Sequence, residues 1–275
     1  MDPRATDIDI YYCETPDFTV EKTHYHNVHQ IILVIAGAAR FDIDAKSYTV
    51  RQNAVVCISN LEKHSVKILE SPYKRYVLSL PQDFGHGTLS NTPLLSIVLQ
   101  RPESFSHVIG LDDEISHDIR LIFEAMLAEN TEKKAFWSLR CDSLAADLLI
   151  RLYRYSSSSF PGNETNDAIN IVTRVQNHII QNADREITLE DMAKQNYISK
   201  YYLSRIFKEV TGYTFKDYLI LHRLSIAKDL LLHSDKTVTD VCLLSGYNNV
   251  NHFIRSFKNL EGVTPYQYKK THARH

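Results

Sequence analysis

The chain has 275 residues, 44% of them hydrophobic and 23% charged, with a formal net charge of −2. That length favours two domains, and no apolar run approaches the roughly 18 residues that a membrane-crossing helix requires. The opening MDPRATDIDIYY lacks the basic segment and apolar core of a signal peptide, and Cys13, Cys57, Cys141 and Cys242 have neither CxxC nor disulfide-like spacing. A reducing cytoplasm is the expected location.

Charge is divided unevenly. From Thr165 onward there are 15 Lys and Arg against 11 Asp and Glu, and before it 16 against 22. A basic half beside an acidic half suggests that only the second meets a polyanion.

In chain order, residues from about 8 to 81 are short runs rich in Val, Ile, Tyr and Thr. QIILVIAG, RFDIDAKSYTV, AVVCIS and RYVLSL read as strands of a sandwich or small barrel. Within this part, HYHNVHQIILVIAG carries His24, His26, Gln30 and Gly37, and His64 follows in SNLEKHSVKI. In an extended segment His24, His26 and Gln30 project to one face. The spacing resembles that of a cupin, a β-barrel whose metal form uses histidines and an acid, but Gln30 stands at the acid's place. The patch therefore admits three roles. His24, His26, Gln30 and His64 are assigned as an effector-binding pocket; the same histidines could be purely structural, or three imidazoles could hold zinc. No metal and no cofactor is assigned.

From about Asp112 to Tyr155 the apolar period becomes helical, with Ile115, Ile119, Ile122, Phe123 and Met126 on one helix and Phe136, Leu139, Leu144, Leu148, Leu149 and Leu152 on another, as amphipathic helices packing on the barrel would have. SSSSFPGNETND, 156–167, has linker composition. Helices are expected beyond it over 168–182, 189–195, 199–210, 215–232, 239–244, 249–260 and 265–270.

This last part repeats itself. Arg205, Phe207, Lys208, Gly212, Thr214 and Tyr218 recur as Arg255, Phe257, Lys258, Gly262, Thr264 and Tyr268. Thr188 and Thr237 begin each copy as helix caps, each with an Asp three residues on. A short helix, a turn and a second helix make a helix-turn-helix, with Gly212 and Gly262 as left-handed caps. Opposite each apolar face lie Tyr201, Ser204, Arg205 and Lys208 in the first copy, and Asn251, His252, Ile254, Arg255 and Lys258 in the second. Arg suits guanine, Asn adenine and an aliphatic side chain a thymine methyl. Either face taken singly could be ordinary solvated surface; Arg in the same place twice favours base reading. The intervening helix of about 18 residues spans roughly 27 Å, near the 34 Å or so between successive major grooves on one side of B-DNA.

RLSIAKDLL, 223–231, and VTDVCLLSGYNNVNHFIRSFKNLEGVTPYQY, 238–268, resemble the linker helix and C-terminal signature of the AraC/XylS family of transcription regulators. Cys242 replaces a usual alanine, and Ile254 a residue that is often polar. The resemblance implies base contacts from Tyr201, Ser204, Arg205, Asn251, His252 and Arg255, with Lys208 and Lys258 completing the DNA-binding set. It further implies an N-terminal effector barrel, dimerisation through the helical pair, RNA polymerase as a partner and, most often, activation.

The expected fold is an α+β multidomain chain. A cupin-like effector domain would occupy 1–110, a dimerising helical pair 111–155 (Ile115, Ile119, Ile122, Leu144, Leu148 and Leu152), a linker 156–167, and an all-α DNA-binding domain with two helix-turn-helix units 168–275. The expected function is a sequence-specific regulator of double-stranded DNA, an activator and homodimer controlled by a small molecule such as a sugar or related metabolite. A cupin metalloenzyme and a constitutive DNA-binding protein are the rivals. The sequence has no Gly-rich phosphate loop, HExxH or GxSxG to support catalysis, and no membrane partner is expected.

Overall fold

β-Branched and aromatic residues alternate through the N-terminal half, and the strands follow them: β1 Asp9–Thr15, β2 His29–Ile43, β3 Lys46–Arg51, β4 Ala54–Ile58, β5 His64–Leu80 and β6 Val108–Gly110. The computed structural model describes residues 8–16, 23–26, 28–82, 84–85, 89, 92–161 and 167–272. It divides into two compact units, 6–164 and 165–275; residues 162–166 of the expected linker lie outside the described residues.

Among the described residues the six strands form one antiparallel sheet in the order β1-β5-β2-β4-β6, with β3 on β2. Two expected strands, on either side of Gly37, are a single one. β2 runs through the glycine because register shifts between Val34 and Ala39 absorb the irregularity. These shifts change which parity faces inward. Ile32 and Val34 share a core with Ala39, Phe41 and Ile43, together with Val50, Val66 and Ile68, so the sheet doubles over and encloses this cluster. Ile31, Leu33, Val55, Cys57 and Leu78 face the other way, beneath helices.

After a 3-10 turn at Pro93–Leu95, those helices are α1 Ser96–Leu99, α2 Asp113–Glu132 and α3 Trp137–Tyr155. Asp112 caps α2 by accepting from the amide of Ile115. α2 and α3 bury Phe123, Met126, Cys141, Leu148 and Leu149 on the sheet. Each such large side chain contributes about 1.5–3 kcal/mol.

The second unit comprises α4 Asp167–Asn182, α5 Leu189–Gln195, α6 Lys200–Thr211, α7 Phe215–His233, α8 Val238–Leu244, α9 Val250–Glu261 and α10 Pro265–His272. Each expected helix is present with its ends displaced by two residues at most. α7 buries residues on every side, from Phe215 and Tyr218 to Leu230 and Leu231. A helix apolar all round belongs at a centre, and α7 packs against α6, α8, α9 and α10.

Candidate nucleic-acid interface and ligand site

In the first helix-turn-helix, the Thr188 hydroxyl accepts from the Asp191 amide to start α5, and the Ser199 hydroxyl accepts from the Tyr202 amide to start α6. Leu203, Ile206 and Phe207 are buried, and Gly212 ends the helix at φ 79°. That anchoring turns Tyr201, Ser204, Arg205 and Lys208 outward, all exposed. Arg205 is not idle: it pairs with Glu209 at 3.1 Å and lies 5.3 Å from the Tyr202 ring centre.

The second unit repeats these parts with other residues. Asp240 completes a reciprocal capping box with Thr237, a role usually held by the longer Glu or Gln. The Asn249 side chain accepts from the His252 amide to begin α9. Phe253 and Phe257 are buried, and Gly262 ends α9 at φ 75°. Asn251, His252, Arg255 and Lys258 are exposed. Ile254 is half-buried against the apolar core built on α7, α8 and α9 rather than displayed with them. Among the described residues, Arg255 has no ion pair or side-chain hydrogen bond.

α4 reaches the turns of both units. Arg174 donates to the Asn196 side chain at 3.1 Å, in the first turn. Just beyond the C-terminal end of α4, the Ala183 carbonyl lies so near Gly246 that a Cβ there would approach it to 2.0 Å. Arg223 of α7 secures this junction, donating to the carbonyls of Ala183 at 2.9 Å and Arg185 at 2.6 Å. The turn residues Tyr197 and Gly246 are both left-handed, at φ 56° and 85°.

In the N-terminal unit, His24 and His64 form an isolated bridge, each amide donating to the other's carbonyl at 2.9 Å. The Leu61 amide donates to the His26 carbonyl at 2.8 Å. One ring nitrogen each from His24, His26 and His64 lies within 4.8 Å of the others. Gln30 is buried in β2, in register with Ile58 and Ser79. His64 Nδ1 lies 2.9 Å from the Glu62 carbonyl, which can only accept, so Nδ1 carries the proton. Burial pushes the His64 pKa down to about 4 although that carbonyl opposes the shift.

The support beneath His64 is a network the sequence did not disclose. Buried Glu62 accepts from Arg101 Nε at 2.9 Å and lies 2.9 Å from His107 Nε2, while Tyr48 meets His107 Nδ1 at 2.9 Å. Burial disfavours the Glu62 carboxylate, but Arg101 and His107 outweigh it and hold the pKa near 2. An isolated Glu, Arg and His, up to 45 positions apart, form no local pattern.

A separate cavity of about 440 Å³ is lined by Tyr12, Ile35, Lys74, Tyr76, Arg120 and Leu127, none of them expected from the sequence. The side chains assigned to dimerisation need correction. Ile119, Ile122, Leu144, Leu148 and Leu152 are buried in the unit's own core and Ile115 is half-buried against it, because the doubled sheet needs an apolar cover. The exposed large hydrophobic side chains of the pair are Leu121, Leu139 and Tyr155, with Phe136 exposed in the turn before α3, so the expected placing of Phe136 and Leu139 on an inward apolar face does not hold.

A doubled antiparallel sheet followed by paired helix-turn-helix units defines a class of DNA-binding regulators. The AraC-like ligand binding domain model matches residues 6–149, and a helix-turn-helix domain model matches 192–271. The chain belongs to the AraC family of transcription regulators, with an effector-binding domain. The transcriptional activator RhaS of Klebsiella pneumoniae is 25% identical over 86% of this chain and 82% of its own. YtdP, an HTH-type transcriptional regulator of Bacillus subtilis, is 39% identical over 94 residues, and there the chain spans only 12% of the relative's length. Among solved structures, ToxT of Vibrio cholerae shares the fold with a TM-score of 0.64 at 13% identity, covering 98% of this chain and 100% of its own. Another ToxT structure, solved with an unsaturated fatty acid bound, has a TM-score of 0.62 at 15% identity, with both chains fully covered. No helix among the described residues is long and apolar enough to cross a membrane.

Proposed function

We propose that the chain is a cytoplasmic activator that reads two successive major grooves and responds to a small-molecule effector, without catalysing a reaction. The observation that carries this is the pair of outward faces: Tyr201, Ser204, Arg205 and Lys208 on α6, and Asn251, His252, Arg255 and Lys258 on α9. The lysines would neutralise phosphates while the other six read base edges. The 19 residues of α7 span about 28 Å, which suits recognition elements one turn apart.

The effector reading assigns His24, His26, Gln30 and His64 to a polar ligand site for a sugar or related metabolite. The cavity favours a second effector class: Lys74 and Arg120 beside Ile35 and Leu127 suit an apolar carboxylate, and ToxT has been solved with a fatty acid. A homodimer would form through Leu121 and Leu139, and RNA polymerase would be the partner at the promoter. The proposed domain limits are 1–110, 111–155, 156–167 and 168–275.

The test is selection of bound DNA from random duplexes, with and without a panel of sugars and fatty acids. Enriched sites should contain two short elements about one helical turn apart, with enrichment altered by one ligand class. Absence of any enriched sequence would overturn the reading.

A further inference from the structure

We propose that His24, His26 and His64 form a binding site for a divalent cation of the zinc class. This narrows the ligand of the proposed effector patch, and it rests on that patch being a ligand site.

Three features of the backbone place the imidazoles. His24 and His26 are two residues apart and so fall on one side of an extended segment. His24 is tied to His64 by the reciprocal amide bonds, and His26 to Leu61 by its carbonyl. The rings are mutual neighbours, with centroids 4.4 to 5.3 Å apart. Zinc–nitrogen bonds of 2.0–2.1 Å in a tetrahedron set nitrogens about 3.4 Å apart. The nitrogens, already within 4.8 Å of one another, need little more than ring rotation to close on an ion.

The surroundings favour this use. The Glu62 carbonyl receives the His64 Nδ1 proton and leaves Nε2 as the donor nitrogen. A carbonyl or carboxylate on the far nitrogen is the usual device for orienting a metal-binding imidazole. Glu62 cannot also be a ligand, because Arg101 and His107 occupy its carboxylate. The site thus presents three imidazole nitrogens and no protein anion. Imidazoles suit zinc, copper and nickel, whereas magnesium and calcium require oxygens. Three protein ligands leave a fourth position for water or for an oxygen of a small molecule, so an effector could enter through the metal.

The experiment uses the full chain, stripped with chelator and titrated with Co²⁺ by visible absorption, then with Zn²⁺ as competitor. The expected result is one Co²⁺ per chain, displaced by Zn²⁺ but not by Mg²⁺. His24→Gln and His26→Gln, both half-buried positions, should each weaken Co²⁺ binding at least tenfold. His117→Gln, on the exposed side of α2, should leave it unchanged. No stoichiometric Co²⁺ on the unsubstituted chain would overturn the proposal without reference to any variant. So would undiminished affinity in both folded variants, which would mean scattered surface coordination. DNA selection is scored separately. A chain that takes no metal yet selects DNA and answers an organic ligand refutes only the cation site. A chain that takes the metal and selects no DNA refutes only the regulator reading.

Discussion

At matching places in the two helix-turn-helix units stand Tyr197 and Gly246, each in the left-handed region, with the same backbone bonds around them. Tyr197 N–H donates to Lys194 and Gly246 N–H to Leu243; one residue on, Ile198 N–H donates to Ala193 and Tyr247 N–H to Cys242. The surroundings differ. Tyr197 is 96% exposed, whereas Gly246 lies directly under the Ala183 carbonyl. The turn itself tolerates a side chain at some cost in strain; the neighbour does not. Identical local geometry therefore carries different sequence constraints, set by what packs against it.

The most severe way to break this comparison is Gly246→Ala. A Cβ at 2.0 Å from a backbone oxygen forces α4 and α8 apart, and we expect a loss of about 3–5 kcal/mol in denaturant unfolding. Wild-type stability in that variant would mean that the Ala183 contact does not form. Next come the recognition arginines. Arg205→Ala and Arg255→Ala should each weaken specific DNA binding by about 1–3 kcal/mol and relax the preference at one base position. Arg205 must first leave Glu209, while Arg255 has nothing to leave, so Arg255→Ala should have the larger effect. Equal affinity and unchanged base preference in both would remove these arginines from base reading.

The shared helix gives a third, pH-dependent test. Burial pushes the His222 pKa from 6.5 down to about 4. Above pH 6.5 the ring is neutral whether folded or unfolded. As pH falls below that, the unfolded chain takes up a proton that the folded chain refuses until about pH 4. Stability of this unit should therefore drop by about 2 kcal/mol between pH 7 and pH 5. His222→Leu should flatten the profile over that interval, and an unaltered slope would exclude His222 as its source. The smallest effect is expected for Tyr197→Gly, which relieves a left-handed tyrosine and should raise stability by up to about 1 kcal/mol; a loss would show that the exposed ring has a role of its own.

What the sequence disclosed was what short segments determine. Thr188, Thr237, Gly212 and Gly262 act on their own helices, so caps and ends were legible, as were the outward residues once Phe207 and Phe257 fixed the inward side. Long-range matters were not. Nothing near Gly246 names Ala183 as its neighbour, and the Glu62–Arg101–His107 network joins distant segments. The apolar stripes of α2 and α3 announced burial and left two covers open, the barrel or a second copy; the cover found is their own sheet. The three histidines form an intermediate case. The spacing of His24 and His26 suggested a shared face, but the closeness of the His64 ring to theirs depends on how the sheet folds over.

α4 braces the turn of one reading unit through Arg174 and that of the other through Ala183, while α7 runs between the two units. Two struts leave little freedom for the recognition helices to change separation. DNA offers none of that compensation cheaply: one inserted base pair between the two elements moves the second by about 3.4 Å and turns it by about 35° around the duplex axis. For such a frame, the number of base pairs between the elements would be as much a part of the address as the bases themselves.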